Sequence, residues 1–167
     1  MSNKIKFLFI VFSFYLSLSC SQTANSIEKA IQNIEILNID SVEKTIIFDN
    51  EISKNRNLLS LLDFWFNNRI KVTGIDGKFI LIINKYSENI TNISDGKKIE
   101  LLLEFTAKLD YPVSSLSKTL DGSVSSYGTI TGDFSLKDVD ILVENSQLDL
   151  VNRLNRELKK QSSFSKN

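Results

Sequence analysis

The stretch IELLLEFTAKLDY, Ile99 to Tyr111, decides the fold. Ile99, Leu101, Leu103, Phe105, Ala107, Leu109 and Tyr111 recur at every second position. Glu100, Glu104, Thr106, Lys108 and Asp110 fill the places between them, with Leu102 the exception. Successive side chains of a strand point to opposite faces, so this period gives one dry face and one wet face. A long strand of that kind belongs to an open antiparallel sheet, because parallel strands are covered on both sides.

Its neighbours follow from local chemistry. Asp95-Gly96 is the strongest hairpin signal in the chain. Before it, Phe79 to Ile83 (FILII) is a continuous apolar run, as in a strand covered on both faces or sitting at the centre of a sheet. Pro112 ends the long strand. A second long strand is predicted from Leu116 to Ile130, with Leu116, Leu120 and Val124 on one side. Within it Asp121-Gly122 fits either a bulge or a second turn, and Gly128 and Gly132 loosen its end. Val42 to Phe48 (VEKTIIF) reads as the first strand and Arg69 to Thr73 (RIKVT) as a short one, followed by a turn at Gly74 to Gly77.

Two segments carry the helical period. Leu58, Leu61, Leu62 and Trp65 share one face of a helix over residues 57–68, which Asn55 or Asn57 can cap. Trp65 belongs in the core by that spacing, rather than on the surface as an anchor. Ser135 and Asp138 form a capping box with Asp in place of the usual Glu. Leu136, Val139, Val143, Leu150, Val151, Leu154 and Leu158 make the stripe of the helix that follows. Asp138 and Asp140 at its start and Arg153, Arg156, Lys159 and Lys160 at its end complement the helix dipole, and the basic group also suits phosphates or lipid head groups. Neither helix can bury its stripe alone. The expected fold is α+β: a two-layer sandwich of one mostly antiparallel, four- to five-stranded sheet with two helices packed on one face. Ile27, Ile31 and Ile34 permit a short helix, but residues 20–40 read better as a tether, leaving a single domain over 41–162 and a disordered tail over 163–167.

Composition narrows the function. The 167 residues contain no histidine and one cysteine, Cys20. Ser-His-Asp and Cys-His nucleophilic sites, His-ligated zinc, paired-thiol chemistry and internal disulfides are therefore excluded. No glycine-rich phosphate loop is present, and no cofactor is expected. Chemistry by carboxylates alone stays formally open, but a non-enzyme is the expectation. The 20 basic and 20 acidic residues give no electrostatic case for nucleic acid.

The first residues, MSNKIKFLFIVFSFYLSLSC, have a basic start at Lys4 and Lys6, an apolar run too short for a confident membrane span, and a lone terminal cysteine. They resemble a bacterial lipoprotein signal, residues 1–19, that is removed before Cys20 becomes lipidated. Ser17 and Ser19 stand where that signal usually has Leu and then Gly or Ala, with Leu16 and Leu18 displaced by one.

With this signal, the order of elements resembles the lipopolysaccharide-assembly lipoprotein family, LptE, over residues 40–160. The resemblance is carried by FDNE (Phe48 to Glu51), the Leu-rich helix, the hairpin at Asp95-Gly96, Ser126 to Gly128, and DLVNRLNREL (Asp149 to Leu158). It implies a lipid-anchored protein on the periplasmic side of the outer membrane, with an outer-membrane β-barrel as partner and lipopolysaccharide as ligand. Lys97, Lys98 and Lys137 are the nearest matches to the basic residues that the family presents to lipid. Ordinary solvated lysines beside a turn would look the same. An auxiliary lipoprotein of a lipid or solute transport complex and a structural envelope lipoprotein are the alternatives.

Overall fold

The dry face of the long strand is covered as its alternation requires. In β5 (Gly96–Tyr111), Ile99, Leu101, Leu103, Phe105, Ala107 and Leu109 are buried, and every residue between them keeps contact with water. The computed structural model describes residues 28–50, 52 and 55–160. Along these run helix α1 (residues 28–32), β1 (Leu37–Ile39), β2 (Glu43–Phe48), α2 (Arg56–Arg69), β3 (Ile70–Val72), β4 (Lys78–Ile93), β5, β6 (Leu116–Thr131) and α3 (Leu136–Lys160). The main sheet has four strands in the order β2-β4-β5-β6. β2 is parallel to β4, and the β4-β5 and β5-β6 pairs are antiparallel. The helices lie on the dry face, and the fold is an open α+β sandwich.

The core joins both layers. Trp65, Phe66, Phe79 and Phe105 are its largest buried side chains, and Phe66 of α2 stacks on Phe79 of β4 at 6.3 Å. Leu150, Val151, Leu154 and Leu158 of α3 are withdrawn from water as their spacing predicts. Asn55 caps α2 by accepting from the Leu58 N–H at 3.0 Å. At the other end Lys44 reaches from β2, donating to the carbonyls of Phe66 and Ile70 at 2.7 and 2.6 Å. A cation is the favoured group at a helix C-terminus, where carbonyls lack partners.

Several expectations need correction. Of the tether over residues 20–40, the described part, residues 28–40, is built into the fold. Ile31, Ile34, Leu37 and Ile39 are buried, the guanidinium of Arg69 donates to the Ile34 carbonyl at 2.6 Å, and β1 pairs in parallel with β3. The apolar residues pass from helical spacing to alternation, which sets them against the core. The domain therefore starts before residue 41. RIKVT accordingly supplies β3 to this separate two-stranded sheet, and the main sheet has four strands. Residues 1–19, Cys20 and 163–167 lie outside the described residues.

Asp121-Gly122 is neither a bulge nor a turn, since the β5-β6 register runs unbroken through it. Gly122 sits opposite Phe105, and a Cβ there would fall 2.6 Å from the ring tip. Glycine makes room for the ring. The bulge lies in β4, where the register shifts between Ile83 and Lys85 and exchanges the faces of the residues beyond. Leu136 is 82% exposed, not part of the buried stripe. The dry side of α3 includes Ser146, Gln147 and Asn155 instead. Each is satisfied: Asn155 accepts from the Trp65 indole at 3.1 Å and donates to the Glu35 carbonyl at 3.1 Å.

Ser135 and Asp138 close the capping box. The Ser135 N–H and hydroxyl both donate to the Asp138 carboxylate, at 2.8 and 2.7 Å, and the Asp138 N–H donates back to the hydroxyl at 3.3 Å. These bonds, the hydroxyl first, hold the Asp138 carboxyl below its ordinary value of 3.8.

Two outcomes follow. Leu103→Ala should cost about 2–5 kcal/mol and Leu103→Asp should unfold the domain, whereas Glu104→Lys on the wet face should stay within about 1 kcal/mol in denaturant titration. Equal destabilisation by Leu103→Asp and Glu104→Lys would contradict the facing of β5. Asp138→Ala should lower the melting temperature at neutral pH. A carboxyl lowered by folding stabilises above its unfolded value and loses that contribution as pH falls through the folded one. The gap between parent and variant should therefore close on acidification below about 3.8.

Candidate functional site

One end of the sheet collects the residues expected to meet a ligand. The β4-β5 hairpin turns through Ser94 and Asp95, with Ile93 paired to Gly96. The Gly132 N–H donates to the Asp95 carbonyl at 3.1 Å and fixes the β6-α3 connection beside this turn. Lys97 lies opposite Ile130 and Lys98 opposite Thr129, and Lys137 is the second residue of α3. The structure thus places Lys97, Lys98 and Lys137 at the same end. Strand alternation sends Lys97 and Lys98 to opposite faces of the sheet.

Local partners already engage two of the three. Lys97 donates to the Asn92 side chain at 3.0 Å, and Lys98 pairs with Glu100 at 2.6 Å. Lys137 is exposed. Asp95, Asp133, Asp138 and Asp140 share the neighbourhood, so the end is mixed in charge rather than a basic clamp. An anion would have to compete with these partners for the lysines.

The same end is apolar where the helix no longer covers the sheet. α3 packs tightly at Gly128, where a Cβ would come 2.8 Å from the Leu142 side chain and 3.0 Å from the Ser146 hydroxyl. Towards the turn the cover thins, leaving Ile90 of the dry face and Leu136 of α3 exposed, while Ile93 and Tyr127 lie exposed on the wet face. Cations and bare apolar groups together suit an amphiphile with phosphates and acyl chains better than a free ion. Spacing assigned Leu136 to the core, and nothing in the sequence marked Ile90 and Ile93 as uncovered. Ile90 and Leu136 lie where the cover of α3 ends, whereas Ile93 is on the face that no helix among the described residues covers.

The basic group at the end of α3 is largely spoken for. Arg153 pairs with Asp149 at 2.7 Å, Lys160 with Glu157 at 3.0 Å, and Lys159 with Glu35. Asp149 also accepts from the Ser126 hydroxyl at 2.8 Å, tying α3 to β6. The opposite face of the sheet carries Ile47, Ile80, Ile82 and Leu102 among Thr45, Lys85, Glu104 and Lys108. No helix among the described residues packs on it.

No family model matches the chain, and no curated protein does. Solved structures of bacterial lipoproteins do. The minor lipoprotein from Acinetobacter baumannii superposes with a TM-score of 0.50 at 11% identity, over 75% of this chain and 96% of that one. Lipoprotein B from Nitrosomonas europaea gives a TM-score of 0.51 at 12% identity, over 77% and 89%. At such identities the fold is what is shared, and this chain has the fold of these bacterial lipoproteins.

Proposed function

We propose that the protein is a lipoprotein, held by Cys20 on the periplasmic side of the outer membrane, that supports a β-barrel translocon in the assembly of lipopolysaccharide at the cell surface. It would work by contact and not by covalent chemistry. One coincidence carries the reading: a signal that stops on a lone cysteine precedes a fold shared with bacterial lipoproteins. The hairpin end adds support, because its lysines and uncovered isoleucines match the phosphates and acyl chains of lipid A. Several acyl chains on one cysteine anchor firmly where a single chain holds only marginally.

Mass spectrometry of the mature N-terminus should find Cys20 acylated, and Cys20→Ala should release the protein from membranes or block its processing. An unmodified peptide starting at Ser21 or later would contradict the anchor. Replacing Lys97, Lys98 and Lys137 together with Glu should weaken lipopolysaccharide binding while moving the melting temperature little, since exposed charges contribute about 0–1 kcal/mol each. Unchanged binding would remove the lysines from the site. Co-purification with an outer-membrane β-barrel should accompany both results, whereas recovery with an inner-membrane ATPase would point to a transport auxiliary.

A further inference from the structure

β6 has β5 on one side and, among the described residues, no strand on the other. The pairing fixes which of its backbone groups face outward. The Gly132-to-Asp95 bond marks a hydrogen-bonded pair, so by alternation Lys97–Ile130, Leu101–Ser126 and Leu103–Val124 are hydrogen-bonded pairs as well. The N–H and C=O groups of Ser123, Ser125, Tyr127 and Thr129 therefore point away from β5.

Proteins usually blunt such an edge with charge, proline, a bulge or short length. β6 has 16 residues, no proline and no break in register. Its two charges, Lys118 and Asp121, both precede Gly122, and residues 122–131 (GSVSSYGTIT) carry none. The other edge, β2, has 6 residues including Glu43 and Lys44. Apart from Val124, Tyr127 and Ile130 the side chains along 122–131 are small, and the outward backbone is open to a second strand.

The surroundings select the occupant. A groove of about 330 Å³ opens between this stretch and α3, lined by Ser123, Val124, Ser125, Arg153, Arg156, Glu157 and Lys160. Three cations thus face one carboxylate. Arg153 and Lys160 have the partners named above, but Arg156 is exposed and makes no ion pair among the described residues. A second copy of the chain fits poorly. Antiparallel pairing of two β6 strands must oppose outward residues to outward residues, and an axis through Ser123 or Ser125 would bring the two Arg156 groups of the groove together. We infer that the edge of β6 accepts an extended, acidic segment of a partner protein as an additional strand along Ser123 to Thr129, with Arg156 reading its carboxylates. In such strand addition the main chain supplies affinity and the side chains supply specificity.

The test uses the full chain and the peptide acetyl-TVEVEVEVT-amide at millimolar concentration, with a control in which Lys replaces each Glu. Amide hydrogen exchange at Ser123, Ser125, Tyr127 and Thr129 should slow when the acidic peptide binds, and the control should not bind. Arg156→Glu should weaken binding roughly fivefold, by turning an exposed attraction into repulsion. Ser125→Pro should weaken it about tenfold, since it deletes an outward donor. Its melting temperature should barely move, because proline at an outward edge position breaks no β5-β6 bond. Absence of binding, equal binding of both peptides, unchanged exchange at these amides in the complex, or a dimer formed through β6 would overturn the proposal.

Discussion

From Ile99 to Leu109 every second side chain of β5 is withdrawn from water, and covering that row is the constraint the rest of the molecule obeys. Each large side chain in the row contributes on the order of 1.5–3 kcal/mol when fully buried. β4 and β6 extend the apolar face sideways, and α2 and α3 close it. The packing accommodates its largest members specifically. Phe105 fits because Gly122 opposite has no side chain, and α3 approaches because Gly128 has none either. The bulge at β4 then exchanges faces, so that Tyr86 rather than an aliphatic residue continues the dry side opposite Leu103. Its hydroxyl donates to Glu88 at 2.7 Å and accepts from Gln147 of α3 at 3.3 Å, and burial pushes it above the usual phenol range.

Local period and local chemistry were legible in the sequence, and non-local decisions were not. The alternation of β5, the α2 face through Trp65, the Asp95-Gly96 hairpin and the Ser135–Asp138 capping box each depend on residues within a few positions of one another, and each stands as read. The fate of residues 28–40 depends on β3 and α3, which lie far along the chain. Nothing near Leu37 announces a parallel partner at Ile70. The polar residues inside the α3 stripe were invisible for a related reason: Asn155 is acceptable there only because Trp65 and Glu35 meet it.

The candidate site divides in the same way. That Lys97 and Lys98 stand beside a turn was plain, and the resemblance to a lipid-handling family joined Lys137 to them. That Asn92 and Glu100 engage the first two, and that Ile90 and Leu136 lie uncovered nearby, required the hairpin and α3 to be set against each other. The result is less a charged clamp than an amphipathic end. Among the described residues the fold leaves three surfaces open: this end, the bare face of the sheet and the edge of β6.

The proposed role is tested most directly by depleting the protein in the cell that makes it and following newly made lipopolysaccharide. If the protein supports a β-barrel translocon, lipopolysaccharide should accumulate inside the envelope and fail to reach the surface. The full-length chain should restore delivery, and a chain lacking Cys20 should not. Normal surface lipopolysaccharide after depletion, or an envelope that contains none, would contradict the role in its assembly.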